Sequence, residues 1–201
     1  MEKKIFNLTP FQSPDRYFYI ISGRRSTGKT TLVKKLLKQI KPDISLIFSG
    51  SYLDWEEYEQ TVFKDLEGFQ DKRRCVMVID GLDREIADMA KENFFRKLIK
   101  DLRHIGLTLI ITFDPEPDRL YILNKYLSLD PSTRSCIDCV FLTHPISDER
   151  TQKRFYEDFI SGNFPELGND HAFTDFCRVF FASRDKKTIA FSTLGLQWLE
   201  N

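Results

Sequence analysis

Three observations predict an α/β fold of three layers, with a mainly parallel central sheet flanked by helices. Short apolar segments alternate with helically spaced ones along most of the chain, the order expected of repeated β-α units. The octapeptide Gly23-Arg24-Arg25-Ser26-Thr27-Gly28-Lys29-Thr30 stands between an apolar run, Tyr17 to Ile21, and a helix-like one, Thr31 to Leu37. A further apolar run, Cys75 to Ile79, ends on the carboxylate of Asp80. A length of 201 residues suits one such domain over 1–201, with a short N-terminal extension at 1–15 and a C-terminal tail at about 194–201.

The elements follow in order. Tyr17–Ser22 is the first strand, and the helix after the octapeptide runs to about Ile40, where Lys41-Pro42 ends it because proline has no N–H to continue the ladder. Ile44–Phe48 is the second strand, and a weaker helical pattern covers Asp54 to Leu66. Cys75–Ile79 is the third strand. From Arg84 to His104, Ile86, Met89, Phe94, Phe95, Leu98, Ile99 and Leu102 recur at helical spacing, which makes that face core, and Gly106 lies beyond as the stop. After the strand Leu107–Thr112, Pro115 and Pro117 break the chain before a short helix around Leu120–Leu127 and a turn at Asp130-Pro131-Ser132. Ile137–Leu142 is the next strand. Residues 147–181 read as helical with interruptions at Gly162, Pro165 and Gly168, Thr188–Ser192 as a last strand, and Leu194–Asn201 as a loose tail.

Composition removes some classes of function. Thirty Lys and Arg balance thirty Asp and Glu, so no global positive field holds a polyanion, and any nucleic-acid contact is local or made by an assembly. The basic clusters Lys34-Lys35-Lys38-Lys41, Lys72-Arg73-Arg74, Arg150-Lys153-Arg154 and Arg184-Lys186-Lys187 mostly have acidic neighbours and read individually as solvated surface. Cys75, Cys136, Cys139 and Cys177 contain one C-x-x-C without a second ligand pair, so reduced, mostly buried thiols are expected rather than a metal site or a disulfide scaffold. No run approaches the ~18 apolar residues of a membrane span, which predicts no transmembrane segment and a soluble, cytosolic chain.

The octapeptide reads G-x-x-x-x-G-K-T, the phosphate-binding loop of P-loop NTPases. Its glycines let the backbone curl so that successive N–H groups, those of Gly23, Arg24, Arg25, Ser26, Thr27 and Gly28 among them, point at phosphate oxygens. Lys29 is placed to reach the β- and γ-phosphates, Thr30 to offer its hydroxyl to Mg²⁺, and the start of the helix, with Thr31, to aim its positive end at the anion. ATP and Mg²⁺ are the implied ligands. The run ending at Asp80 has the form of a Walker B strand, whose carboxylate holds Mg²⁺ through water.

Hydrolysis also needs a group that orients or deprotonates water, often an acid directly after that aspartate. Here the position is Gly81. Asp83, two residues on, and Asp54, Glu56 or Glu57 after the second strand are the alternatives, each competing with an ordinary surface role. Because ligands of open parallel sheets lie beyond the carboxyl ends of the strands, Asp80, Asp114 and the Gly23–Thr30 loop are expected to converge.

Beyond these motifs the chain resembles the genome-packaging ATPases of large DNA viruses, the poxvirus and giant-virus branch of the FtsK/HerA superfamily. The resemblance rests on Leu102-Arg103-His104-Ile105-Gly106 leading into the strand Leu107 to Thr112, on Arg134 ahead of Ile137-Asp138-Cys139-Val140-Phe141, and on the basic, tyrosine-bearing Arg150 to Glu157. Asn163-Phe164-Pro165 and Ala172 to Cys177 extend it. It implies a three-layer P-loop NTPase of the ASCE, RecA-like class, with an extra strand between the Walker A and Walker B strands. It further implies a homo-oligomeric ring that moves double-stranded DNA, without sequence preference, into a capsid. Partners at a capsid vertex or among membrane-associated virion proteins, and a place in the host cytoplasm (the virus factory) or the virion, follow from the same resemblance. Gly81 stands where that family has a second acid, and Asp114 where it has a glutamine that senses the γ-phosphate. Arg103 and Arg134 are candidates for stabilising transition-state charge, in their own or a neighbouring subunit's site, with structural ion pairs as the competing reading; Asp114 is expected to be neutralised by one of them or by the next subunit. Two other functions fit the motifs: a slow or inactive nucleotide switch, which explains Gly81, and a small-molecule kinase, for which no arginine-rich lid is evident.

Overall fold

The computed structural model describes residues 18–49, 53–56, 74–81, 94–115, 135–162, 169–182, 187–192 and 195–200. The strands are β1 (Phe18–Ser22), β2 (Ile44–Ser49), β3 (Cys75–Asp80), β4 (Leu107–Phe113), β5 (Cys139–Leu142), β6 (Lys187–Ser192) and β7 (Gly195–Glu200). The helices are α1 (Lys29–Ile40), α2 (Phe94–Ile105), α3 (Glu149–Phe155), which runs on as a π-helical turn over Tyr156–Ile160, and α4 (Asp170–Phe181). The helices expected over Leu120–Leu127 and in the first half of 84–104, the extension 1–15, and most of 54–66 lie outside the described residues; of the last, Leu53–Trp55 forms a 3₁₀ turn.

One sheet orders the strands β2-β3-β4-β1-β5-β6-β7. The pairs from β2 through β5 are parallel, and β6 and β7 add antiparallel ladders at one edge. β4 therefore lies between β1 and β3, the inserted strand that the resemblance implies. The chain leaves β1 outward to β2 and returns through β3 and β4. With right-handed crossovers, that reversal puts α1 and α2 on opposite faces. Leu32, Val33, Leu36 and Leu37 of α1 pack with Tyr19, Ile21, Val78 and Ile110, whereas Ile99 and Leu102 of α2 pack with Phe18, Ile20, Met77 and Leu109. The near-continuous apolar sequence of β1, β3 and β4 follows from burial on both faces. α3 and α4 join the α2 side through Phe155, Phe159 and Phe173, with Phe113 and Phe159 at a centroid distance of 5.6 Å and Phe155 and Phe159 at 5.0 Å.

Helix ends follow their local chemistry. α1 stops at Ile40 because Lys41 turns left-handed (φ 49°) and its N–H bonds the Leu37 carbonyl at 2.9 Å, the usual closure of a last turn. Gly106 ends α2 at φ 67°. Asp148 caps α3, its carboxylate accepting from the Thr151 N–H and hydroxyl, and these bonds hold its pKa below the ordinary aspartate value.

Two expectations are corrected. The stretch read as a loose tail, Leu194–Asn201, contains β7, paired from Ser192↔Gly195 to Lys187↔Glu200. Only two residues separate the strands in sequence, short enough for antiparallel pairing alone. The strand expected over Ile137–Leu142 begins at Cys139, since the Asp138 carboxylate, rather than a ladder carbonyl, takes the Phe18 N–H at 3.0 Å.

Candidate nucleotide site

The carboxyl ends of β1, β3 and β4 open on a cleft of about 590 Å³, lined by Arg25, Ser26, Gly28, Lys29, Thr30, Thr31, Ser49, Asp54, Asp80, Gly81 and Asp114. Parallel register sets its floor. Asp80 pairs with Thr112, and Ser22 with Phe113, so the residues that follow each strand emerge side by side.

The loop after β1 is tightly folded. The Gly23 N–H bonds the Phe113 carbonyl at 3.2 Å, and a Cβ at Gly23 would stand 1.9 Å from Thr143 Oγ1 and 2.7 Å from Thr27 Oγ1, so only glycine fits. Ser26 adopts φ 62° and Gly28 φ 90° before α1 begins. Thr27 turns its hydroxyl back to the Arg24 carbonyl and to Thr143, each at 2.7 Å, and so braces the loop. Arg24 points away from the cleft, donating to Ser147 Oγ at 2.5 Å; Gly23, Arg24 and Thr27 thus shape the loop without lining the cleft.

Lys29 extends along the loop, donating to the Gly23 carbonyl at 2.6 Å and the Arg24 carbonyl at 2.9 Å, and forms an ion pair with Asp114. Of the arginines expected to neutralise Asp114, Arg103 lies elsewhere. Arg103 instead pairs with Asp138 at 2.9 Å, at the start of β1 and ahead of β4. The seven residues of β4 separate that end from Asp114 by about 23 Å, which excludes contact within one chain. Asp83 and Arg134 lie outside the described residues.

The Asp80 carboxylate accepts three side-chain hydrogen bonds. Its Oδ2 accepts from Thr30 Oγ1 at 2.8 Å and from Trp55 Nε1 at 3.0 Å, and its Oδ1 from Thr112 Oγ1 at 2.5 Å. Thr112 in turn accepts the Gly81 N–H at 3.2 Å. Thr30 and Asp80 together offer hard oxygen donors and few of them, the set suited to Mg²⁺, which keeps several waters and phosphate oxygens. Among the described residues no group of three or more His, Cys, Asp or Glu side chains is arranged for a metal.

Trp55, Thr112, Ser49 and Thr143 are the site-building residues that motif reading missed. Thr112 had a signal, a polar residue closing an apolar strand. Trp55 had none, because its burial beside Asp80 arises only from the pairing of β2 with β3.

The comparisons agree with this geometry. No curated protein sequence matches the chain. Among solved structures, the genome packaging NTPase B204 from Sulfolobus turreted icosahedral virus 2, in complex with AMPPCP, superposes with a TM-score of 0.56 at 11% identity, covering 92% of this chain and 98% of that one. At that identity the likeness is one of fold. The family model described as "ATPase family associated with various cellular activities (AAA)" matches residues 19–119, half of the chain, from β1 through β4 and thus every cleft-lining residue, and the chain belongs to that family.

Proposed function

We propose that this chain is a DNA-packaging ATPase of the FtsK/HerA kind, which binds ATP with Mg²⁺ in the cleft, hydrolyses it, and as a homo-oligomeric ring drives double-stranded DNA into a capsid. The observation that carries this reading is the gathering of Lys29, Thr30, Asp80 and Asp114 around one cleft, within a fold shared over 92% of its length with a viral packaging NTPase. On this reading the loop N–H groups and Lys29 hold the β- and γ-phosphates, Thr30 and Asp80 hold Mg²⁺, and the ion neutralises phosphate charge. Asp114 faces the γ-phosphate and passes Lys29 to it. Arg134 serves a neighbouring subunit's site. Partners at a capsid vertex or among virion membrane proteins, and a place in the virus factory or virion, belong to the same proposal.

One observation favours a second reading, a slow nucleotide switch: Gly81, at φ 75°, bears no acid after Asp80. Steady-state ATP hydrolysis with and without linear duplex DNA, against Lys29→Ala as the blank, decides between them. Stimulation by DNA that disappears in Lys29→Ala supports the motor. Tight ATP binding without turnover under either condition supports the switch.

A further inference from the structure

We infer that Asp54 is the carboxylate that orients the attacking water, in place of the acid absent at Gly81; this rests on the reading of the chain as an ATPase. The left-handed backbone at Gly81, φ 75°, is one that side-chain-bearing residues rarely adopt, so this position is built for a turn and not for a carboxylate. Asp54 lines the same cleft as Lys29, Thr30, Asp80 and Gly81. What holds it there is its neighbour. Trp55 is fully buried and its indole N–H donates to Asp80 Oδ2 at 3.0 Å, on the same oxygen that accepts from Thr30. Lys34 of α1 covers the indole ring at 5.4 Å. The 3₁₀ turn Leu53–Trp55 is thereby anchored to the Walker B aspartate, and Asp54, whose own side chain is exposed to the cleft, is carried at a set position beside it. A general base needs that combination: access to solvent water and a fixed backbone.

The step balances without a further reactant. The water oxygen forms a bond to the γ-phosphorus, and the bond from that phosphorus to the β–γ bridging oxygen breaks. The electron pair leaves on ADP, and the water proton passes to Asp54 and then to bulk solvent.

The test measures two quantities on the full chain: turnover with duplex DNA, and affinity for the non-hydrolysable β,γ-methylene analogue of ATP by calorimetry. Asp54→Asn is expected to lose at least about a hundredfold in turnover while its analogue affinity stays within a few-fold of wild type, and Asp54→Glu to recover part of the rate. Wild-type turnover in Asp54→Asn overturns the assignment. So does the loss appearing in Glu56→Gln or Asp83→Asn instead, or a parallel loss of analogue affinity in Asp54→Asn, which makes the residue part of the binding site. A wild-type chain that binds the analogue without any turnover overturns the assignment and the hydrolytic function but leaves nucleotide binding standing; failure to bind the analogue defeats the proposed function itself.

Discussion

Lys29 has three partners within the chain, two loop carbonyls and the Asp114 carboxylate, and each competes with a phosphate oxygen for the same three ammonium protons. Asp114 is the competitor with a full charge. Asp114→Asn is therefore expected to tighten ATP binding about fivefold, the scale of about 1 kcal/mol for a charged hydrogen bond partly open to solvent; titration calorimetry reads it, and weaker binding would show that the carboxylate helps hold the nucleotide. At Gly81 the backbone decides. Gly81→Glu, which places an acid directly after Asp80, is expected to destabilise the fold by about 1–2 kcal/mol because of the left-handed φ, seen as a Tm lower by a few degrees, and to leave the hydrolysis rate no higher than wild type.

Elements explain which of the two arginine readings holds for Arg103. The C-terminal turn of α2 delivers it to Asp138, whose other oxygen takes the N–H of the first residue of β1. This is a clamp between α2, β1 and the approach to β5, at the end of the sheet opposite the nucleotide cleft. Arg103 is largely exposed, so Arg103→Ala is expected to reduce stability by less than about 1 kcal/mol. Asp138→Ala leaves the buried Phe18 N–H without its acceptor and is expected to cost about 1–3 kcal/mol. Denaturant unfolding separates the two. Neither variant, measured at a temperature where it is folded, should lose the 10³–10⁵ in turnover that follows removal of a transition-state arginine; such a loss in Arg103→Ala would place it in a neighbouring subunit's site. The thiols follow the packing of the same elements: Cys75, Cys139 and Cys177 are buried and form no disulfide among the described residues, and burial pushes the Cys177 thiol up to about 12, so it should resist alkylation in the native state.

At the scale of the whole molecule, equal numbers of acidic and basic residues mean that the duplex binding of the proposed motor rests on local surfaces multiplied by assembly. A single chain is expected to bind duplex DNA weakly and without sequence preference, with affinity falling steeply between about 50 and 200 mM salt. Under ATP, an oligomer should bind more tightly and with a steeper salt slope, because each chain adds phosphate contacts. Fluorescence anisotropy across a salt series, paired with sedimentation with and without ATP, checks both; binding unaffected by salt would speak against a backbone-tracking motor.

Sequence alone determined the phosphate loop, the Asp80 strand, most strand positions and the alternation that makes a parallel sheet. These are local properties: apolar runs, glycine spacing and helix stops are written within a few residues of one another. Tertiary structure alone decided who meets whom across the sheet. Lys29 finds Asp114, Arg103 finds Asp138 and Trp55 reaches Asp80 through contacts that span 25 to 85 residues, and Phe18 meets Asp138 across 120. Such pairings depend on strand order and register, which no short window of residues specifies, and they turn a motif into a cleft with a defined lysine partner and a second carboxylate held beside Asp80.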